Sequence, residues 1–139
     1  MVAIVIGAHG NFAKELVKSG EMICGRQENI GYVTFKTGES AEGLVGKYEE
    51  VLDKLDCKDG VLFMVDMFGG SPYNAASRIA ISNDNMDIIT GVNLPMYLEI
   101  SQTMGSSTIE ELVNTALSTA IDTIKSFKKV MENIEVEEL

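Results

Sequence analysis

One histidine, two cysteines, two prolines and few basic side chains are what this 139-residue chain has little of, and each scarcity closes a class of function. Eleven Lys and Arg stand against 21 Asp and Glu, for a formal net charge of −10. No basic stripe is present to neutralise phosphates, so no nucleic-acid partner is expected. An acidic surface instead favours a protein partner with basic contacts and speeds their encounter. No run approaches the roughly 18 apolar residues that span a bilayer. The amino terminus lacks a basic stretch ahead of its short apolar run, so no secretory signal is read there and the cytoplasm is the expected compartment. Cys24 and Cys57 have no metal-like spacing, and one histidine is too few for a His/Cys zinc site. No metal and no cofactor is expected, and both thiols read as buried or half-buried. The first strand is not followed by Gly-x-Gly-x-x-Gly, Gly46-Lys47 lies inside a helical stretch rather than a Walker loop, and no Gly-x-Ser-x-Gly surrounds a serine. Linkers, repeats and low-complexity segments are also missing.

What is there alternates. Short apolar runs interleave with amphipathic stretches, the pattern of a single-domain α/β fold with a doubly wound, mostly parallel sheet flanked by helices. The runs predict strands over residues 2–7, 31–35, 60–66 and 86–90. Helices are predicted over 13–24, stopped by Gly25, over 40–55 and over 72–81, with a short one from Pro95. The last helix opens on a capping box, Ser107 with Glu110. Its stripe, Ile109, Leu112, Val113, Ala116, Leu117, Ala120, Ile121, Ile124 and Phe127, must be core or interface. Residues 1–131 read as the domain and 132–139 as a solvated acidic tail.

The chemistry gathers at two strand ends. The first run closes as Gly7-Ala8-His9-Gly10, delivering the only imidazole to the carboxyl edge of a sheet, where open α/β folds bind ligands. Another run closes at Asp66, and Met67-Phe68-Gly69-Gly70-Ser71-Pro72 leads into a helix. Ser71 reads as its N-cap and Pro72 as its first residue, leaving backbone N–H groups at a positive dipole end suited to a phosphate. If the two strands are parallel neighbours, His9, Asp66 and this cradle converge. Each part also has a plain reading: a histidine in a turn, an acid capping a turn, two glycines permitting a bend. A Ser-His-Asp hydrolase is disfavoured because a capping Ser71 has its oxygen engaged with N–H groups. Asn93 either reaches the same edge or forms the turn after the fourth strand.

The segments 3–10, 60–66, Gly69-Gly70-Ser71-Pro72-Tyr73-Asn74-Ala75-Ala76-Ser77-Arg78 and Gly91-Val92-Asn93-Leu94-Pro95-Met96 together resemble the EIIA domain of the mannose-type sugar phosphotransferase system. The resemblance covers nearly the whole chain. It implies that His9 accepts a phosphoryl group from the phosphocarrier protein HPr and passes it to an EIIB partner. The membrane components EIIC and EIID act beyond that step. It implies that Asp66 orients the imidazole and stabilises its positive charge, and that Ser71 with the Gly69 and Gly70 turn amides holds phosphoryl oxygens. Met67 and Phe68 depart from the polar residue and tryptophan of many relatives, which leaves more of the phosphate contact to Ser71. No Ala/Pro-rich linker follows the last helix, so a free-standing subunit, or a piece cut at the linker, is expected. A homodimer is implied too, with a carboxyl-terminal strand added to the neighbour's sheet. Residues 125–131 are where that strand would lie, though their own pattern is mostly helical. Two other functions share the fold: the phosphotransferase subunit of a dihydroxyacetone kinase, against which the Gly-Gly-Ser-Pro-Tyr-Asn segment argues, and a non-catalytic regulatory α/β binding module.

Overall fold

The strand β1, Ala3–His9, is buried on both faces as far as Ala8, the condition of a parallel strand with helices above and below. The computed structural model describes the backbone of residues 1–138 and the side chains of residues 1–134. Three further strands, β2 (Ile30–Phe35), β3 (Val61–Val65) and β4 (Met86–Ile89), join β1 in one parallel sheet of order β2-β1-β3-β4. The doubly wound parallel sheet read from the sequence is therefore the observed fold. Alternation along β1 sorts the core into two layers. Val2, Ile4, Ile6 and Ala8 face one layer with Leu16, Val17, Met96, Ile100, Leu112 and Ala116. Ala3 and Val5 face the other with Leu44, Tyr48, Ala75 and Ala76. Helices α1 (Phe12–Cys24), α4 (Leu94–Thr103) and α5 (Ile109–Thr123) thus cover one face, and α2 (Ala41–Asp53) and α3 (Ser71–Ala80) the other. A sixth helix, α6 (Phe127–Glu138), follows.

Several local expectations are corrected. β1 runs two residues beyond the predicted 2–7, because Ala8 and His9 continue the ladder to Thr34 and Phe35 and the Gly10 N–H bonds the Phe35 carbonyl at 2.7 Å. His9 is therefore the last rung of a strand, not part of a turn. The capping box belongs to Thr108 and Glu111, one residue later than Ser107 and Glu110. Both registers satisfy the motif; the one that packs Ile109 against the core and buries Leu112 prevails. The predicted stripe is only half covered. Leu112 and Ala116 are buried and Ile109, Val113 and Ala120 pack on them, but Leu117, Ile121, Ile124 and Phe127 are exposed. The helix also stops at Thr123, with Ile124 extended, before α6 starts. Residues 125–131 accordingly hold a helix start rather than a strand. Cys24 is exposed, since the last turn of α1 faces solvent there, while Cys57 is half-buried.

Gly7 is small for a steric reason. A Cβ there would lie 1.8 Å from the Tyr48 hydroxyl oxygen, which donates a buried 2.9 Å hydrogen bond to the Pro72 carbonyl. Gly7→Ala is expected to lower stability by about 1–3 kcal/mol through overpacking. Adding Tyr48→Phe should recover part of that loss, as urea unfolding of the single and double variants would read.

Candidate active site

The order β2-β1-β3 makes β1 the strand from which the chain departs to opposite sides, so its carboxyl end lies at the topological switch point. His9 ends β1 and Asp66 follows β3 directly, and the parallel register pairs Gly7 with Val65. The two side chains meet. His9 Nδ1 lies 2.7 Å from Asp66 Oδ2, and the same oxygen accepts the His9 backbone N–H at 3.0 Å. One carboxylate oxygen thus fixes both the strand end and the ring. The other, Oδ1, is buried without a partner among the described residues. With the Nδ1 proton donated to Asp66, the ring nitrogen Nε2 keeps its lone pair, and 46% of the imidazole side chain is open to solvent. That combination makes a held but reachable nucleophile.

Two further neighbours border the ring. Phe35 meets it edge to face at 5.7 Å, and a Cβ on Gly70 would come within 2.9 Å of His9 Cε1 and 3.5 Å of Nε2. That contact explains a correction. The N-cap of α3 is Gly70, not Ser71: the Gly70 carbonyl accepts the first helical bond from the Asn74 N–H at 2.8 Å. A side chain at the cap would strike the imidazole, so glycine takes the position and Ser71 and Pro72 become the first two helical residues. Pro72 still forfeits no helical bond there. The Ser71 hydroxyl makes no capping bond, so it is not engaged in the way the sequence suggested. The open N–H groups of this first turn lie beside the ring, at the positive end of the helix. Gly69, with φ of 83°, turns the chain into that position. Met67 and Phe68 are exposed on the same turn, Phe68 stacking on Tyr73 at 4.8 Å.

Asn93 does not enter this set. Its Oδ1 caps α4 by accepting the Met96 N–H at 3.0 Å, the turn-forming alternative.

Two contributors escaped the sequence reading. Tyr48 lies buried behind the site, its bond to Pro72 tying α2 to the first turn of α3. Burial, with the charge of Asp66 adding, raises its hydroxyl well above the ordinary phenol range, so it remains a donor. The second is the loop between β2 and α2. His9, Gly10, Phe35, Lys36, Thr37 and Gly38 line a cleft of about 250 Å³ on the β2 side of the ring. Glu39 pins this loop: it accepts the Lys36 N–H at 2.9 Å and pairs with Lys47 at 2.7 Å, and Lys47 also donates to the Thr34 carbonyl. Its hydrogen bond with Lys47, followed by that from the Lys36 amide, holds the Glu39 carboxyl below the usual range. The signal for the loop was available in the doubly wound pattern, which puts the second strand beside the first. Among the described residues no group of three or more His, Cys, Asp or Glu side chains could hold a metal ion, and no helix is long and apolar enough to cross a membrane.

Residues 3–117 match the family model of the PTS system fructose IIA component. The chain belongs to this EIIA family. It is 46% identical over 128 residues to the mannose-specific EIIAB component of Escherichia coli K12, covering 91% of this chain but only 40% of that protein's length. With the fructose-specific EIIA component of Bacillus subtilis it shares 38% identity over 114 residues, 82% of this chain and 78% of that one. Among solved structures, the phosphotransferase system component EIIA of Streptococcus agalactiae superposes with a TM-score of 0.84 at 25% identity, covering 93% of this chain and 99% of that one. The EIIA family resemblance read from the His9, Asp66 and Gly69–Pro72 segments is thereby established.

Proposed function

We propose that this EIIA domain is a phosphoryl carrier of sugar uptake, taking a phosphoryl group from HPr onto His9 Nε2 and handing it to an EIIB partner that serves membrane EIIC and EIID components. The observation that carries the reading is the 2.7 Å contact of His9 Nδ1 with Asp66, which leaves Nε2 free beside the start of α3. In the forward step the Nε2 lone pair forms the N–P bond. The donor–phosphorus bond breaks, with its electron pair leaving on the donor. The ring becomes cationic as the N–P bond forms, and Asp66 sits against the Nδ1 proton to balance that charge. Ser71, with the turn amides of Gly69 and Gly70 and the first turn of α3, would receive the three phosphoryl oxygens. Transfer to EIIB is the same step reversed. No water need enter, and a protein partner that covers the half-open ring would exclude it. Exposed Met67 and Phe68 give such a partner an apolar rim.

The sugar is not carried by these residues: relatives are named for mannose, fructose and sorbose, while the site described acts on phosphoryl groups. A carrier that meets HPr works on the cytoplasmic side. The test is incubation with phosphoenolpyruvate, enzyme I and HPr, followed by mapping of acid-labile phosphate. A protein that takes up no phosphate under these conditions would refute the reading.

The same reading includes a homodimer. Leu117, Ile121, Ile124 and Phe127, with Val130, Met131 and Ile134, leave an apolar face uncovered across the end of α5 and the start of α6. Burying it against a second copy removes that area from water. Each His9 site is built from one chain's strand ends, so two sites would work independently. Sedimentation at micromolar concentration is expected to give a dimer, and truncation after Lys125 a monomer. A full-length monomer, or a truncated dimer, would show that the face serves something else.

A further inference from the structure

Phosphorylation adds about −1.5 to −2 charge at pH 7, to a chain already at −10 and at a ring whose neighbour is a carboxylate. The helix start of α3 offers dipoles there but no full positive charge. Nδ1 faces Asp66, so Nε2 points away from it, and the cleft on the β2 side of the ring contains neither Asp66 nor any residue of α3. Lys36, Thr37 and Gly38 line it together with His9, Gly10 and Phe35. Two cations belong to this region. Lys47 is committed to Glu39 and to the Thr34 carbonyl, whereas Lys36 makes no ion pair among the described residues. The Lys36 backbone is nevertheless fixed. Its N–H bonds Glu39, its carbonyl accepts the Glu39 N–H at 3.1 Å, and Phe35 just before it is held by Gly10. A lysine on a pinned loop, lining the same cleft as His9, is set to meet an anion arriving there.

We propose that Lys36 is a phosphoryl-binding residue of this site: its ammonium compensates the charge of the group on His9 Nε2 across the cleft, opposite the Ser71 side. The proposal rests on the phosphocarrier reading and adds a second wall to it. The cation holds the phosphorylated form more tightly than the free imidazole, so it shifts the transfer equilibrium toward His9 and favours the fully ionised phosphoryl group.

The experiment compares wild type, Lys36→Gln and Lys36→Arg, each phosphorylated through phosphoenolpyruvate, enzyme I and HPr. The phosphorus NMR resonance of phospho-His9 is titrated with pH, and the ratio of phospho-His9 to phospho-HPr is measured at equilibrium. An exposed ion pair of this kind sets the scale at about 2- to 5-fold. Lys36→Gln should therefore shift the equilibrium that far back to HPr and raise the titration midpoint by about 0.3–0.7 pH units. Lys36→Arg should follow wild type, and added salt should shrink the difference. Identical titration and equilibrium in Lys36→Gln, with His9 phosphorylated in both, would overturn the proposal. So would a Lys36→Arg protein that behaves as Lys36→Gln, because loop shape rather than charge would then be responsible. A wild-type protein that carries no phosphate on His9 would overturn the phosphocarrier reading itself.

Discussion

His9→Ala is expected to leave a folded protein that takes up no phosphate from phospho-HPr, the largest effect any single substitution should have here. The side chain is half exposed at the end of a strand, so its removal costs the core nothing beyond the edge contact with Phe35. Its bonds to Asp66 do matter locally. The backbone N–H still reaches Oδ2 in the variant, and the strand end should persist. Chemically nothing replaces it. The sequence contains no second imidazole, and the Ser71 hydroxyl makes no hydrogen bond to a base among the described residues. The wild-type label should be lost in acid and stable in alkali, as expected for phosphate on nitrogen. An acid-stable label, or one that survives His9→Ala, would place the chemistry elsewhere in the molecule.

Much of this site is legible in the sequence because parallel strands leave a strong trace. Residues buried on both faces must be apolar throughout, so the runs ending at His9 and Asp66 stand out, and a doubly wound order makes them neighbours. Once adjacent, a histidine and an acid at corresponding ends have little choice but to meet. The start of α3 was legible to within one residue. The cap is Gly70 rather than Ser71, and the imidazole leaves no room for a side chain at that cap, a contact between segments about 60 residues apart in the chain that no local rule contains.

Other features left no such trace. Tyr48 sits at a helical position where any large apolar residue would satisfy the periodicity, and its partner carbonyl belongs to a different helix. Lys36 looks like a solvated lysine in a turn, and only the position of β2 beside β1 brings its loop to His9. At the other end of the chain the periodicity was misleading. Helical spacing runs on through Ile124 and Phe127, but the core contacts of this helix end at Ala120, and Ile121, Ile124 and Phe127 lie beyond the core they would pack on. Pattern reports which face is apolar; how much of that face this chain can cover depends on the width of a four-stranded sheet.

Asp66→Asn should keep the fold and slow phosphoryl transfer on the order of ten- to ten-thousand-fold, by analogy with other carboxylates that orient a catalytic imidazole. The geometry explains why an isosteric change is so costly. Asp66 Oδ2 accepts two N–H groups, from the His9 backbone and from Nδ1, while Oδ1 is buried with no partner. Asparagine has two ways to sit. With its carbonyl toward His9, both hydrogen bonds survive, but the amide N–H₂ enters the buried position with nothing to receive it. That arrangement costs about 1–3 kcal/mol of stability and removes the negative charge that faces the ring as it becomes cationic. With the amide reversed, a donor confronts the His9 N–H, and Nδ1 must become an acceptor. The proton then moves to Nε2, where it blocks the attacking lone pair. Either way the loss falls on the rate of transfer more than on HPr binding, because Asp66 lies behind the ring and is largely covered. Rapid-quench measurement of transfer from phospho-HPr separates the two, with a lowered maximal rate and a nearly unchanged half-saturating HPr concentration expected. A folded Asp66→Asn protein that transfers at the wild-type rate would remove the carboxylate from the chemistry and leave it only the task of closing the strand.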